Sequence, residues 1–248
     1  MEKDMGYKVV ANLLIFENEW KLGKNQSELI KLSKEIGFNV VEVRREYFRD
    51  IKKEISEVKQ AALDNSIELY YSVPDCLFVD GTLNKDMSKY LAECAALGAK
   101  KIKLNLGDYS SFTRDISELI NLFIEKDIEI NIENDQSNKN GSISPILQFL
   151  SSVSKKGIDI GFVFDIGNWI FVHEDFIQAA KYFSKYVRYI HLKDVLNTSE
   201  GLKVVGLDSG VLPWKSILSY LPNNIPVALE YPAQSEEEIR QDLKKLIL

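Results

Sequence analysis

The sequence predicts an α/β protein built as a single closed (β/α)₈ barrel, and three observations lead to that fold class. Eight short apolar segments alternate with eight amphipathic helical segments along the chain. Its 248 residues match the roughly 250 residues of a lone barrel of this type. No linker, repeat or low-complexity stretch divides the chain, which favours one domain spanning residues 1–248. Consecutive strand–helix units favour a closed parallel barrel over an open doubly wound sheet.

The predicted elements follow one another in strict order. Strands are expected at 8–16, 39–45, 67–73, 101–106, 128–134, 161–165, 188–193 and 226–231. Helices are expected at 26–36, 50–65, 85–97, 115–126, 145–155, 175–186, 214–221 and 236–248. Gly37, Gly98 and Gly157 each follow a helix where a left-handed residue commonly ends it. The longest irregular segments, 135–141 and 195–212, both follow strands, on the face where barrel enzymes carry their active-site loops.

Composition narrows the classes of function. A formal net charge of −6 argues against broad nucleic-acid binding, which uses clustered Lys and Arg. No apolar run approaches the ~20 residues of a membrane span, and the first residues contain no signal-peptide core, so we expect a cytoplasmic protein without membrane contact. The two cysteines, Cys76 and Cys94, are too few for a disulfide framework or zinc cluster, and we expect packed thiols.

The predicted strands carry polar side chains on one face. In the fifth strand, Ile130 and Ile132 alternate with Glu129, Asn131 and Glu133. Because the apolar set must pack against the helices, the polar set must point into the barrel. Charges deep in the barrel are costly unless they are paired. We therefore expect interior ion pairs such as Glu42 with Arg44 and Lys103 with Glu129.

Four interior residues stand at the carboxyl ends of consecutive strands, where barrel enzymes carry out their chemistry. These are Glu133, Asp165, His191 and Glu230. A single carboxylate there is more often an ion-pair partner or a loop cap, but four such residues together predict a divalent-metal site. Oxygen and imidazole ligands suit Mn²⁺, which we expect first, with Mg²⁺, Co²⁺ and Zn²⁺ as alternatives.

Four motifs in this part of the chain form a recognisable set. They are IEINIEN, GFVFDIGN, RYIHLKD and VALEYP, and the segment VVGLDSGVLPW lies between the last two. In this order they resemble the xylose isomerase-like TIM barrel superfamily of sugar isomerases and epimerases, over residues 128–232. The resemblance implies that Glu133, Asp165, His191 and Glu230 hold one metal ion. It also implies that Glu133 and Glu230 are an acid–base pair, as in ketose 3-epimerases.

The resemblance implies a reaction class. A metal chelated by a carbonyl and a neighbouring hydroxyl acts as a Lewis acid that stabilises an enediolate, while two carboxylates move the proton. We expect a metal-dependent isomerase or epimerase of a small sugar, sugar phosphate or inositol-like ketone. Alternatives are a lyase that dehydrates a cyclic keto-alcohol at the same site, or a catalytically degenerate carbohydrate-binding relative. An abasic-site endonuclease is disfavoured, because such relatives resemble a His-rich multi-metal cluster and this chain has two histidines.

Further residues are candidates for binding substrate. Asn168 stands where many members carry a histidine, and residues 194–198 lack the substrate-binding arginine of the epimerases. Lys193 could steady an oxyanion or a phosphate, or form an ion pair with Asp194 or Glu230. Trp20 and Trp169 are candidate pocket walls.

Asp194 is a candidate for a residue that orients the metal ligand His191. Asp194 is expected to orient His191 from behind, with capping of the next loop as the alternative. A homodimer is compatible with the resemblance.

Overall fold

The strands form a closed parallel barrel. The computed structural model describes residues 7–119 and 127–247. Its strands are β1 (Val9–Asn12), β2 (Val40–Arg44), β3 (Glu68–Val79), β4 (Thr82–Leu83), β5 (Lys101–Gly107), β6 (Glu129–Glu133), β7 (Ile160–Asp165), β8 (Val187–Leu192), β9 (Asp194–Thr198), β10 (Gly201–Val205) and β11 (Val227–Leu229). The barrel runs in the order β1, β2, β3, β5, β6, β7, β8 and β11, and β11 returns to pair with β1. The predicted fold class is confirmed.

The helices surround this barrel. They are α1 (Glu17–Lys21), α2 (Gln26–Ile36), α3 (Ile51–Asp64), α4 (Met87–Leu97), α5 (Asn138–Gly141), α6 (Ile143–Lys155), α7 (Asn168–Phe171), α8 (Phe176–Phe183), α9 (Trp214–Leu218) and α10 (Glu236–Ile247). The helix predicted at 115–126 lies largely outside the described residues, and its described start is a 3-10 turn at Ile116–Leu119. Within the described ranges, no helix combines the length and the apolar character needed to cross a membrane.

Several boundaries differ from those expected from sequence. The strand predicted at 8–16 ends at Asn12, whose side chain accepts a hydrogen bond from the Leu14 amide and so starts a 3-10 turn at Leu13–Phe16. A short apolar run does not by itself distinguish a strand from a buried turn. The third strand is longer than predicted and ends in a hairpin with β4. The loop expected after the seventh barrel strand contains the antiparallel hairpin of β9 and β10.

In the part of the chain that the structure describes, buried apolar side chains form two separate clusters. The larger cluster lies between strands and helices and contains the outward residues of the barrel, such as Val41, Ile130 and Ile190. The smaller cluster lies inside the barrel and consists of Val10, Val40, Tyr70, Val163, Tyr189 and Ala228. Each of these six stands two residues before a polar residue on the same strand face: Asn12, Glu42, Ser72, Asp165, His191 and Glu230. The six apolar side chains therefore form a floor beneath a polar layer at the carboxyl ends of the strands.

The interior ion pairs differ from those expected from sequence, and one of them follows the strand register. Lys101 lies directly opposite Glu129 on the neighbouring strand and pairs with it at 2.5 Å. Lys103 lies one layer higher and pairs with Glu133, so the expected pair of Lys103 with Glu129 is wrong. The expected pair of Glu42 with Arg44 is also wrong among the described residues. Arg44 pairs instead with Glu46 at 2.7 Å and with Glu230 at 3.2 Å.

Trp169 belongs to the outer core. Helix α7 places its indole among aromatic side chains, stacked on Phe183 with ring centroids 5.7 Å apart and tilted against Phe164 at 5.5 Å. The side chain has no solvent exposure. The expectation that Trp169 forms a pocket wall is therefore wrong, because the residue faces the helix layer.

Removing this indole should destabilise the protein without altering the polar layer. We expect Trp169→Ala to lower the free energy of unfolding by about 3–5 kcal/mol, because the substitution leaves a large cavity in the outer core. Urea unfolding followed by circular dichroism measures this change. Leu22→Ala is the control, since Leu22 is 88% exposed and its loss should change stability by less than about 0.5 kcal/mol. Equal stabilities of the two variants would contradict the packing described.

Candidate metal centre

Four neighbouring strands bring the four predicted ligands together. Glu133 ends β6, Asp165 ends β7, His191 lies near the end of β8, and Glu230 directly follows β11. These strands are consecutive in the barrel, so their carboxyl ends form one continuous arc. One ligand atom from each residue lies within 4.8 Å of the others, and all four residues are buried. Glu133 and Glu230 stand at the two ends of the arc.

The candidate ligand atoms of the arc lie in short contacts with one another and with Lys193. His191 Nδ1 lies 2.6 Å from Glu133 Oε1 and 3.1 Å from Glu230 Oε2. Asp165 Oδ1 accepts hydrogen bonds from the amides of Gly167 and Asn168, which fixes the carboxylate and turns Oδ2 towards the arc. Within the described part of the chain, Glu133 Oε1, Asp165 Oδ2 and His191 Nδ1 are buried but form no hydrogen bond.

This donor set fits a divalent ion. Glu133 Oε1 faces His191 Nδ1, and Asp165 Oδ2 faces Lys193, so each atom is buried beside a group of opposite charge whose place an ion could take. Three carboxylates and one imidazole are hard or borderline ligands, which suit Mn²⁺ and related ions better than soft thiophilic metals. The residues present are therefore chemically suited to hold such an ion.

Three cations line the same layer. Lys103 pairs with Glu133 and lies 3.7 Å from Glu230 Oε1. Lys193 Nζ lies 2.5 Å from Asp165 Oδ2 and 2.9 Å from Glu230 Oε2. Arg44 reaches Glu230 Oε1 at 3.2 Å. Of the two ion-pair partners weighed for Lys193, Glu230 is in contact. All three cations converge on Glu230.

Burial and charge together shift the pKa values of the site. Burial raises the pKa of Asp165 to about 7, although Lys193 opposes the rise. Burial also acts to raise the pKa of Glu230, but His191, Lys193 and Lys103 outweigh it and hold that pKa well below its ordinary value. Burial acts to lower the pKa of His191, but Glu230, Glu42 and Glu133 outweigh it and raise that pKa well above the ordinary value. Any metal bound at Nδ1 must therefore displace a proton from His191.

A cavity of about 570 Å³ opens above the arc. This volume lies within the ~300–1,000 Å³ of typical small-molecule sites. Its lining includes Leu14, Arg44, Ser72, Pro74, Lys103, Asn105, Glu133, Asp135, Gln136, Ser137, Asn168, Lys193 and Glu230. The predicted residues Asn168 and Lys193 therefore face the cavity together with both glutamates of the arc.

Asn168 and Trp20, both expected at the site, form hydrogen bonds or ring contacts with adjacent residues. The Asn168 amide nitrogen donates to the Asn134 carbonyl at 2.8 Å, and its oxygen accepts from Gln136 at 3.2 Å. Trp20 stacks on Tyr47 at 4.4 Å and donates through Nε1 to the Tyr47 carbonyl. Trp20 is not among the described residues that line the cavity, so its expected place as a pocket wall is wrong.

Asp194 caps a loop and does not orient His191. Its carboxylate accepts hydrogen bonds from the backbone amides of Val195, Gly210 and Leu212, at 2.7, 2.9 and 2.9 Å. Because His191 and Lys193 face the barrel interior, strand alternation turns residue 194 away from it. The loop-capping alternative is the one that the structure has.

Glu42 contacts the side of the His191 ring that faces away from the other ligands. From the sequence, Glu42 was expected to pair with Arg44. His191 Nε2 lies 3.2 Å from Glu42 Oε2, and the Glu42 side chain is buried. Asn12, which the sequence did not single out, donates to Glu42 Oε1 at 2.6 Å. Strand alternation indicates that Glu42 points into the barrel, on the same face as Val40. It does not indicate that Glu42 contacts His191, because that contact joins strands that are distant in the sequence.

Comparisons with known proteins agree with this geometry. A family model described as the xylose isomerase-like TIM barrel matches residues 30–247. A search of curated proteins finds no match.

Solved structures resemble the chain over almost its whole length. An IolI protein with a bound zinc atom superimposes with a TM-score of 0.73 at 15% identity, covering 96% of this chain and 95% of that one. The probable 3-DHS dehydratase AsbF from Bacillus anthracis gives 0.71 at 12% identity, covering 96% and 97%. D-psicose 3-epimerase from Clostridium cellulolyticum H10, solved with D-tagatose, gives 0.69 at 14% identity, covering 96% and 97%. At these identities the likeness shows the fold, and together with the matched family model it identifies the chain as a member of the xylose isomerase-like TIM barrel family.

Proposed function

We propose that the chain is a divalent-metal-dependent isomerase or epimerase of a small sugar, sugar phosphate or inositol-like ketone. One observation carries the proposal. Four buried ligand atoms lie within 4.8 Å of one another, and the two glutamates at the ends of that arc both face the cavity. The D-psicose 3-epimerase among the structural neighbours supports the same reaction class.

Glu133, Asp165, His191 and Glu230 would hold the ion, with Mn²⁺ expected first. A divalent ion at this position supplies Lewis acidity, which makes a C–H bond beside a carbonyl easier to break. The zinc atom of the IolI structure supports a metal in a barrel of this shape. Asp165 can offer only Oδ2, because Oδ1 is already bonded to two backbone amides.

Glu133 and Glu230 would move the proton. Lys103 and His191 outweigh the effect of burial and hold the pKa of Glu133 below its ordinary value, and the pKa of Glu230 is lower still. Both carboxylates are thus ionised at neutral pH and can accept a proton. If one removes it from one side of a carbon and the other returns it on the opposite side, the centre is inverted. Return to the neighbouring carbon gives isomerisation.

The cavity cations would orient and stabilise substrate oxygens. The ammonium groups of Lys103 and Lys193 lie beside the two glutamates, so an oxygen that gains negative charge next to the reacting carbon would meet a preorganised positive charge. Asn168 faces the same cavity with a neutral amide, which can hydrogen-bond a hydroxyl but cannot titrate.

A lyase is the second candidate function, and the same lysines favour it. A departing hydroxyl gains negative charge, and the ammonium groups of Lys103 and Lys193 in the cavity could stabilise that charge. One of the structural neighbours is named a probable dehydratase, which supports this candidate function.

The acid–base pair is tested by hydrogen exchange. In D₂O with Mn²⁺ and a panel of ketoses, their phosphates and inositol-like ketones, we expect the wild-type protein to incorporate deuterium beside the carbonyl of its substrate. Glu133→Gln and Glu230→Gln should each slow this exchange by about 10²–10⁴-fold, measured by proton NMR. Glu129→Gln is the matched control, because Glu129 lies on the same strand face but at the other end of the barrel. Unchanged exchange in both test variants would refute the assignment.

The mass of the product separates the two candidate functions. An isomerase or epimerase returns a product of the same mass as the substrate, whereas a dehydratase returns one lighter by a molecule of water. We expect equal masses by mass spectrometry of the turnover mixture. A product lighter by one water molecule would show that the protein is a lyase. The assignment of the metal ligands would not change.

The metal itself is tested by proton release. Because the pKa of His191 is raised and that of Asp165 is about 7, both ligands lose protons when an ion binds, so we expect about one to two protons released per Mn²⁺ at neutral pH. Affinity should then fall by about tenfold per proton released for each unit by which the pH is lowered. Titration calorimetry in buffers of different ionisation enthalpy measures both quantities. A binding enthalpy that does not depend on the buffer would contradict the role of His191.

A further inference from the structure

The two ring nitrogens of His191 have different surroundings. Nδ1 faces Glu133 and Glu230, the two glutamates of the arc, at 2.6 and 3.1 Å. Nε2 faces the opposite way and lies 3.2 Å from Glu42 Oε2. The Tyr189 ring packs edge-on against the imidazole, with centroids 4.8 Å apart, which fixes the plane of the ring. Only Nδ1 is therefore placed to bind an ion in the arc.

A neutral imidazole can bind a metal through one nitrogen only when its proton is on the other. Ligation through Nδ1 therefore requires a proton on Nε2 and an acceptor to hold it there. Glu42 Oε2 is that acceptor. Within residues 7–119 and 127–247, no lysine or arginine forms an ion pair with Glu42, although its side chain has no exposure. The cationic group that Glu42 contacts is the His191 imidazole itself, so burial ties this carboxylate to that ring.

The position of Glu42 is fixed by Asn12. The two residues lie directly opposite in the β1–β2 register, and Asn12 Nδ2 donates to Glu42 Oε1 at 2.6 Å. The same amide group donates to Glu230 Oε1 at 3.0 Å. Its oxygen accepts from the Leu14 amide and from Arg44. Asn12 thus uses its amide nitrogen to hold both Glu42 and Glu230, while its oxygen is occupied by Leu14 and Arg44.

We propose that Glu42, held by Asn12, is the positioning residue of the metal centre: it keeps His191 in the tautomer that presents Nδ1 to the ion. The inference rests on the metal centre proposed above. It assigns a function to the amino-terminal strands β1 and β2, which contribute no ligand of their own.

The test measures metal binding and the state of the histidine rather than turnover. Glu42→Gln keeps the size of the side chain but offers one acceptor oxygen where two are used, so either the Asn12 or the His191 hydrogen bond is lost. We expect Glu42→Gln to weaken Zn²⁺ and Mn²⁺ binding by about tenfold and Glu42→Ala by up to about 100-fold, by calorimetry. Glu93→Gln is the matched control, because Glu93 is also buried but pairs with Arg45 and Tyr71 outside the arc. Its metal affinity should match the wild type.

Long-range proton–nitrogen NMR reports which ring nitrogen of His191 carries a proton. A general loss of stability would not change that result. The chain has two histidines, so His173 serves as the internal reference for His191. In the Zn²⁺-loaded wild type we expect a metal-bound Nδ1 and a protonated Nε2 on His191. In the Zn²⁺-loaded Glu42→Gln variant we expect that single tautomer to be lost to a mixture of the two. Zinc bound through Nε2, or wild-type affinity in both Glu42 variants, would overturn the inference while leaving the metal centre intact. Failure of the wild type to bind either ion would overturn both.

Discussion

The concentration of buried negative charge at one end of the barrel is the constraint on which the rest of the site depends. Glu42, Glu133, Asp165 and Glu230 lie within a single polar layer. Carboxylates that are removed from water are stable only when cations, hydrogen-bond donors or a metal compensate them. Lys103, Lys193, Arg44 and the imidazole of His191 supply that compensation here, and all four lie close to Glu230.

The apolar floor makes this layer possible. Six interior residues, each two positions before a polar one, fill the barrel below the site and exclude water from beneath it. The low-dielectric surroundings strengthen every charge interaction above, which is why burial dominates the pKa of Asp165 and why neighbouring charges shift the pKa of His191 so far. The charges at the other end of the barrel, such as Lys101 with Glu129, are more exposed and separated from the site by this floor.

Sequence alone could predict the parts of the site that lie along a strand, but not the parts that cross the barrel. Alternation placed Glu133, Asp165 and His191 inward at strand ends, and the structure brings them together with Glu230. The same rule, applied more strictly, would have excluded Asp194, which has the opposite parity from His191. Glu42 and Asn12 could not be assigned, because their contacts join strands that local periodicity cannot order. Trp169 was misplaced because a tryptophan after a strand end can equally face the pocket or the helix layer.

The contacts of Asn12 imply that the two halves of the barrel are not independent. The carboxyl-terminal strands β6, β7, β8 and β11 carry the four ligands, whereas β1 and β2 carry the groups that hold two of them in place. Because one amide group donates to both Glu42 and Glu230, the two carboxylates are tied together across the barrel. Four ligands on neighbouring strands could be aligned by the sheet alone, but the direction in which an imidazole presents its lone pair could not. That choice requires an acceptor on the far side of the ring, and the barrel provides it from the strands that carry no ligand.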